Sequence, residues 1–171
     1  MVKTLTDSEM LEIWRRARAV GPLRLDCTVD RTDGPDVDAI LTDEMRAWYL
    51  SLLDSAPVSR LALCNNAELA RINAADDGIL MLTAPAGCRR IISVFFDGWN
   101  IPVSVEPRHA LPSSLRNPFC RRPRAFALAP DRIAVIGASG KLKEMNCAMD
   151  ISDKVYIFDD SALNDIPKSQ L

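Results

Sequence analysis

The sequence of 171 residues contains one histidine, and none of its five cysteines forms a CxxC pair. Metal sites are usually built from clustered cysteine and histidine residues, so the sequence gives no indication of zinc or of another metal. The cysteines are odd in number and far apart, at positions 27, 64, 88, 120 and 147. We expect reduced and mostly buried thiols in a reducing compartment.

Long apolar runs are also missing. No stretch approaches the roughly 18 apolar residues of a membrane-spanning helix, and the first residues lack the apolar segment of a signal peptide. The formal net charge is −2. This value argues against nonspecific binding of nucleic acid or membrane by the whole surface. We therefore expect a protein that works in the cytosol or in an assembly formed there, without contact to a membrane.

Two helices are predicted in the first part of the chain. Thr6 and Glu9 have the spacing of a capping box, and apolar residues follow at helical intervals until Gly21. A second helix is predicted to begin at Thr42, because apolar residues then recur every three to four positions. Pro57 is expected to end it. Residues 23–29 alternate weakly and predict a short strand or an extended connection.

Short β-strands are predicted for most of the remaining chain. Residues 58–72 are ambiguous, with a possible strand at 60–63 and a helical turn at 67–72. Residues 77–105 indicate three strands in sequence, a meander, at 79–83, 89–96 and 101–105. Further strands are predicted at 124–128, 132–136, 141–145 and 154–158, before a polar and loosely packed tail.

These elements predict an α+β fold, with N-terminal helices packed beside an antiparallel β-sheet or a small β-sandwich. A chain of this length is expected to form a single domain, residues 1–171. Within it we expect a mainly helical part at 1–75 and a mainly β part at 76–171.

One segment resembles a nucleotide-binding turn. A predicted strand at 132–136 leads into Gly137-Ala-Ser-Gly140-Lys141. In a P-loop, however, the first glycine would fall at Val135, and a serine or threonine would replace Leu142. A dinucleotide-binding fold would require more βαβ units than the residues that follow provide. The glycines instead predict a hairpin between two strands, and we expect no cofactor.

Opposite charges are concentrated in two segments. Residues 26–38 contain five aspartates, but an EF-hand with Gly34 at its sixth position would place Val29 where the first carboxylate belongs. Residues 107–130 contain five arginines and no acid. We predict that the acidic loop of one copy binds the basic loop of the next in a head-to-tail ring; a nucleic-acid backbone is possible but less favoured. The candidate interaction residues are Arg89, Arg90, Arg108, Arg116, Arg121, Arg122, Arg124, Trp99, Asp33 and Asp36.

Catalysis finds little support in the sequence. His109 is the only histidine, and it has no recognisable nucleophile or orienting partner in its surroundings. We predict that the protein is not an enzyme and has no catalytic residues. A small Cys/His hydrolase remains as an alternative, and so does a non-viral protein-interaction module.

The order of several segments resembles a known class of proteins. The segments are Asp77-Gly78 before a strand, the Arg90-Ile-Ile-Ser-Val-Phe-Phe strand, Gly98-Trp-Asn-Ile-Pro-Val, and Asn117-Pro-Phe-Cys-Arg-Arg-Pro123. Over residues 42–136, and most closely over 77–123, the chain is similar to virion structural proteins of tailed phages and prophages, of the head–tail connector or tail-tubular adaptor class.

This resemblance implies a particular function. It implies a subunit with a helical and a β-rich portion that forms a homo-oligomeric ring and binds other virion proteins, such as portal or tail components. It further implies a protein of the virion, assembled in the host cytoplasm, and it transfers no catalytic residues to this chain.

Overall fold

The computed structural model describes residues 1–18, 36–74, 78–110 and 122–168. Over these ranges the chain forms two α-helices, ten β-strands and several short 3₁₀ turns, which confirms the predicted α+β class. The residues cluster into two compact units. Unit 1 comprises the described residues of 1–62 and 151–168, and unit 2 comprises those of 63–150. This division differs from the expected parts 1–75 and 76–171, because the last strand of the chain pairs with the first.

Unit 1 contains a two-stranded antiparallel sheet and both α-helices. Strand β1 (Val2–Thr6) pairs along its whole length with β10 (Val155–Asp159). Strand β1 was not predicted from the sequence. The prediction of a loosely packed tail was wrong, since a 3₁₀ helix at Asp160–Asp165 follows β10. Ala162 and Ile166 of this tail are buried, so it is packed into the unit.

The first helix is determined by its local sequence. Helix α1 (Asp7–Ala17) begins after Thr6, whose hydroxyl accepts a hydrogen bond from the Glu9 amide at 3.4 Å. The Glu9 carboxylate in turn accepts one from the Thr6 amide at 2.8 Å, so the predicted capping box is confirmed. The helix ends at Ala17, and residues 21 and 22 lie outside the described ranges, as does the predicted extended segment 23–29.

The second helix begins earlier than predicted. Helix α2 (Val37–Ser55) is capped by Asp36, whose carboxylate accepts hydrogen bonds from the Asp38 and Ala39 amides at 3.0 and 3.3 Å. The expected start at Thr42 was therefore wrong, because aspartate caps a helix as well as threonine does. The helix ends two residues before Pro57, as expected.

The core of unit 1 is aromatic. The rings of Trp14 and Trp48 lie 5.6 Å apart, and Trp48 contacts Phe158 edge-on at 6.0 Å. Tyr49 packs edge-on against Tyr156 at 5.0 Å. The apolar stripes of the two helices thus meet each other and β10, as their helical spacing predicts.

Unit 2 is built on an eight-stranded sheet with the order β2-β9-β5-β6-β7-β8-β4-β3. The strand pairs are antiparallel except for β6 and β7, which run parallel, so the sheet is mixed where we expected an antiparallel one. The strands are β2 (Leu63–Asn65), β3 (Arg71–Ala74), β4 (Ile79–Thr83), β5 (Cys88–Phe96), β6 (Val103–Glu106), β7 (Arg124–Ala129), β8 (Arg132–Ile136) and β9 (Leu142–Met149).

Three predictions about unit 2 were wrong. The expected meander does not form, because β4 pairs with β3 and β8, whereas β5 pairs with β6 and β9. The expected hairpin between β8 and β9 does not form either, since the two strands have different neighbours. The helical turn predicted at 67–72 is shorter than expected: residues 67–69 form a turn in which the Leu69 amide donates to the Asn66 carbonyl at 3.1 Å, and β3 begins at Arg71. Each error concerns which segment pairs with which, and local sequence carries little information on long-range pairing.

Candidate assembly surface

Arg124 forms an ion pair with Glu106 within unit 2. Its Nε and Nη2 atoms donate to the two carboxylate oxygens of Glu106, at 2.8 and 2.6 Å. The hydrogen bonds from this guanidinium lower the pKa of Glu106. The guanidinium also lies 4.6 Å from the centre of the Phe126 ring. Arg124 thus links β6 to β7, the parallel pair, and its charge is balanced inside the sheet.

The other candidate arginines have different environments. Arg89 and Arg90 on β5 are half-buried, and both have interaction partners in the protein. Arg108, on a 3₁₀ turn after β6, and Arg122, just before β7, have exposed side chains. Arg116 and Arg121 lie outside the described residues. Of the described members of the predicted basic set, Arg108 and Arg122 are the exposed ones.

The aspartates of the acidic segment also differ in role. Asp36 is the helix cap of α2, so its carboxylate is engaged with backbone amides. Asp38 forms an ion pair with Arg15 of α1. Asp33 lies outside the described residues. The head-to-tail contact between the acidic and basic loops therefore stays a prediction.

Trp99 is a core residue of unit 2. Its side chain is 8% exposed and packs against Phe96, with the ring centres 5.1 Å apart. The indole Nε1 donates to the carbonyl oxygen of Gly137 at 3.0 Å. Trp99 is a predicted interaction residue, but its burial and hydrogen bond give it a packing role in unit 2.

The glycine-rich segment after β8 packs against the turn that carries Asp97 and Trp99. Gly137 and Gly140 have φ angles of +71° and +85°. A Cβ at Gly140 would lie 2.9 Å from the Asp97 Cβ, and the Asp97 amide donates to the Lys141 carbonyl at 2.9 Å. The resemblance to a nucleotide-binding turn thus comes from a loop that must pass close to residues 97–99.

His109 is exposed on the 3₁₀ turn Arg108–Ala110. Across the four described ranges, no group of three histidine, cysteine, aspartate or glutamate side chains could hold a metal ion. Neither α-helix in these ranges is apolar enough over a sufficient length to span a membrane.

Strand β3 and the turn before it carry exposed apolar side chains in unit 2. All four residues of Arg71–Ala74 are exposed, although they belong to a strand. Ile72 is 46% exposed, and Leu69 in the preceding turn is 66% exposed. Among the described residues, β3 has one neighbour, β4, so it ends the sheet. We call residues Leu69–Ala74 the β3 edge.

A second edge lies at the opposite end of the strand order. Strand β2 has β9 as its neighbour within the described ranges, and its Leu63 is 36% exposed. We call residues Leu63–Asn65 the β2 edge. The possible strand predicted at 60–63 overlaps β2 only at Leu63, and β3 was not predicted as a strand, since strands of three or four residues carry too few side chains for a recognisable alternation. No protein-family model matches the chain, and no curated protein sequence matches it either.

Proposed function

We propose that this protein is a structural subunit that assembles with copies of itself through the β3 edge. On the resemblance of residues 42–136, we further propose a ring-forming subunit of the head–tail connector or adaptor class in a phage or prophage virion. The observation that carries the assembly proposal is the exposure of Ile72 on a strand that ends the sheet and of Leu69 in the turn before it.

An exposed end strand is a template for another strand. Its outer backbone N–H and C=O groups can pair with those of a second chain, and proteins that remain monomeric commonly protect such edges with proline, charge or a covering element. The β3 edge contains no proline, and within Arg71–Ala74 it has one charged side chain. Exposed apolar side chains beside these backbone groups add a contact that is favourable when water is excluded.

The two edges differ from each other, which favours a ring over a symmetric pair. If the β3 edge of one copy bound the β2 edge of the next, the contact would be heterologous and would repeat around a ring when the rotation closes. Leu63 on the β2 edge would then face the apolar residues of the β3 edge. The resemblance of residues 42–136 implies a ring-forming subunit, and a contact of this kind would build a ring.

Binding to other virion proteins is part of the same proposal. Arg108 and Arg122 are exposed and their charges suit a partner surface that carries carboxylates. Portal or tail components are the partners that the resemblance implies. Genes for a portal, a terminase and a capsid protein beside the gene of this chain would support a virion protein over a non-viral interaction module.

The assembly proposal is tested by native mass spectrometry and negative-stain microscopy of the full chain, over a concentration series and with a candidate portal protein. We expect oligomers for the natural sequence and their loss in Ile72→Lys, because a charge at this position would have to be desolvated in the contact. Ile101→Lys is the matched control. Ile101 is 70% exposed in the same unit but lies outside the strands, so its oligomers should persist.

Two results would refute parts of the proposal. A chain that stays monomeric at every concentration and binds no virion component would refute the structural function. Oligomers that form equally in Ile72→Lys and in the natural sequence would refute assembly through the β3 edge, while leaving a ring built on other residues to be mapped.

A further inference from the structure

The hydrogen bonds of β4 show which backbone groups face β3. The Ala84 amide donates to the Asp131 carbonyl at 2.8 Å, one position beyond the register that sets Thr83 opposite Arg132. In an antiparallel ladder, the backbone groups of successive residues point alternately to one neighbour and to the other. Those of Leu82 therefore bind β8, and those of Thr83 bind β3.

The same alternation shows which backbone groups of β3 point outward. Arg71 lies opposite Thr83, so the backbone groups of Arg71, and of Asn73 two residues later, point to β4. The N–H and C=O groups of Ile72 and Ala74 then point away from β4, and no other described strand lies on that side. A strand that adds to the β3 edge would exchange hydrogen bonds with these two residues.

The Ile72 side chain lies on the face of β3 that continues the core of unit 2. Ile72 is directly opposite Leu82, which is opposite Ile133, and directly opposite residues share one face of a sheet. Leu82 and Ile133 are 0% and 1% exposed, whereas Ile72 is 46% exposed. The apolar face therefore ends in an exposed side chain at the β3 edge. An apolar side chain beside Ile72 would extend it.

The other face of the same strands carries two arginines. Arg71, Thr83 and Arg132 are directly opposite one another on β3, β4 and β8, so their side chains share this face. Both arginines are exposed, and within the described ranges neither forms an ion pair with a carboxylate. Asp131, one position from Arg132, belongs to the opposite face, and Glu68 lies in the turn before β3. This face can therefore accept a carboxylate from another chain.

We propose that the β3 edge binds an extended segment of a partner protein in which apolar and acidic side chains alternate. The segment adds as a strand beside β3, with its backbone bonded to Ile72 and Ala74. One of its apolar side chains packs beside Ile72, and one of its acidic side chains lies beside Arg71 on the opposite face. The proposal rests on the assembly role proposed above for the β3 edge, and it adds the chemistry of the segment that binds there.

A second copy of this chain fits the same edge less completely. The β2 edge offers its backbone and Leu63, but Leu63–Asn65 contains no acid to meet Arg71. A segment with alternating acidic residues supplies backbone pairing, apolar contact and charge together. Because a segment and a copy would use the same backbone groups of β3, they compete for the edge, and the segment should dissociate oligomers formed through it.

The binding test uses a short fluorescein-labelled peptide in which valine alternates with glutamate. One control peptide has lysine in place of each glutamate, and a second has the original composition with its valines grouped together. Each peptide is titrated with the full chain and followed by fluorescence anisotropy. We expect saturable binding of the valine–glutamate peptide and binding about tenfold weaker for each control, because lysine is repelled by Arg71 and grouped valines cannot form one apolar face.

A charge reversal tests the contact with Arg71. Arg71→Glu should reverse the preference, so that the lysine peptide binds more tightly than the glutamate peptide. Lys141→Glu is the control, because Lys141 is exposed in the same unit but lies outside β3, β4 and β8, and the original preference should persist.

A proline substitution tests the backbone pairing. Ile72→Pro removes an N–H that points away from β4, so the bonds between β3 and β4 remain while binding of the valine–glutamate peptide should be lost. Circular dichroism checks that the variant is folded. Ala74→Pro tests the same pairing at the end of the strand if Ile72→Pro does not fold.

Two outcomes would overturn the proposal. One is equal affinity of the natural chain for the glutamate and lysine peptides, and the other is unchanged peptide binding in a folded proline variant. Native mass spectrometry of the same samples separates this proposal from self-assembly. Peptides bound without a charge preference, with oligomers that Ile72→Lys removes, would refute the acidic segment alone. A chain that is monomeric at every concentration but binds the glutamate peptide selectively would refute self-assembly alone.

Discussion

The Tyr49 hydroxyl binds both backbone groups of Ile157. It accepts a hydrogen bond from the Ile157 amide at 3.1 Å and donates to the Ile157 carbonyl at 3.2 Å. Ile157 is in the middle of β10, whose other side pairs with β1. The Tyr49 hydroxyl thus makes the two hydrogen bonds with Ile157 that a neighbouring strand would otherwise make. These bonds attach α2 to the two-stranded sheet of unit 1.

Removing this hydroxyl is expected to destabilise unit 1. Tyr49→Phe keeps the packing against Tyr156 but leaves a backbone donor and an acceptor in a half-buried place without their partner. Such losses cost about 1–3 kcal/mol. The free energy of unfolding, from urea titration followed by circular dichroism, measures the effect.

Tyr156→Phe is the matched control, since the chain has two tyrosines. The Tyr156 hydroxyl donates to the Asp7 carboxylate at 3.0 Å, and Asp7 is half-exposed, so water can replace the lost donor. We expect a smaller loss of stability than in Tyr49→Phe. An equal or larger loss would contradict the bridging role of Tyr49.

The capping box of α1 predicts both a stability change and its pH dependence. Thr6→Ala should lower the free energy of unfolding by about 1 kcal/mol, because the first turn of the helix loses its side-chain acceptor. Ser8→Ala is the control, since Ser8 is exposed in the same turn and does not cap the helix. Urea titration of both variants at neutral pH makes the comparison.

Acid should reduce the difference in the free energy of unfolding between Thr6→Ala and the natural sequence. Hydrogen bonds from the Thr6 amide and hydroxyl lower the pKa of Glu9. A carboxylate with a lowered folded-state pKa stabilises the protein above its unfolded-state pKa, about 4.3 for glutamate, and this contribution is lost as pH falls further. The difference should therefore be constant between pH 6 and 7 and shrink below about pH 4. A difference independent of pH would show that the Thr6 hydroxyl does not contribute to the lowered pKa of Glu9, since the amide of residue 6 remains a donor in the variant.

Gly87 is expected to tolerate no side chain. Its φ angle is +86°, and a Cβ would lie 2.6 Å from the carbonyl oxygen of Asp150. The Asp150 amide also donates to the Gly87 carbonyl at 2.8 Å, so neither residue can shift without losing this bond. Gly87→Ala should cost more than the roughly 1–2 kcal/mol of an alanine in the left-handed region.

Gly78→Ala separates backbone strain from the clash. Gly78 has a similar φ angle of +77°, but nothing lies within 4 Å of its added Cβ. With no atom of the described residues in the way, Gly78→Ala should show the backbone cost alone, about 1–2 kcal/mol. Similar midpoints of unfolding for the two variants would mean that Asp150 moves aside freely.

Trp99 should affect stability and leave assembly unchanged. Trp99→Phe removes the donor to the Gly137 carbonyl and part of a buried ring, with an expected loss of about 1–3 kcal/mol. Urea titration measures this loss, and native mass spectrometry at the same concentration measures the oligomer. A change in oligomeric state without a change in the free energy of unfolding would show that Trp99 takes part in the contact between subunits.

The candidate arginines show which properties of a site can be predicted from the sequence and which cannot. Their clustering between residues 107 and 130 is evident from the sequence, but the pairing of Arg124 with Glu106 depends on β6 and β7 lying parallel and adjacent. The same holds for Trp99, whose burial depends on its approach to Gly137. The exposure and ion pairing of a side chain depend on which strands are neighbours in the folded sheet, so they cannot be predicted from the pattern of charges along the sequence.

What the sequence determined by itself was local. The capping box at Thr6, the stop before Pro57 and the apolar strands at 79–83 and 132–136 depend on interactions within a few residues, and these segments form as predicted. The tertiary structure decided the pairing of β4 with β8 and of β1 with β10, and hence which edges remain exposed. The physical reason is that pairing is chosen by burial over the whole sheet, where many registers satisfy the same local pattern and only one fills the core.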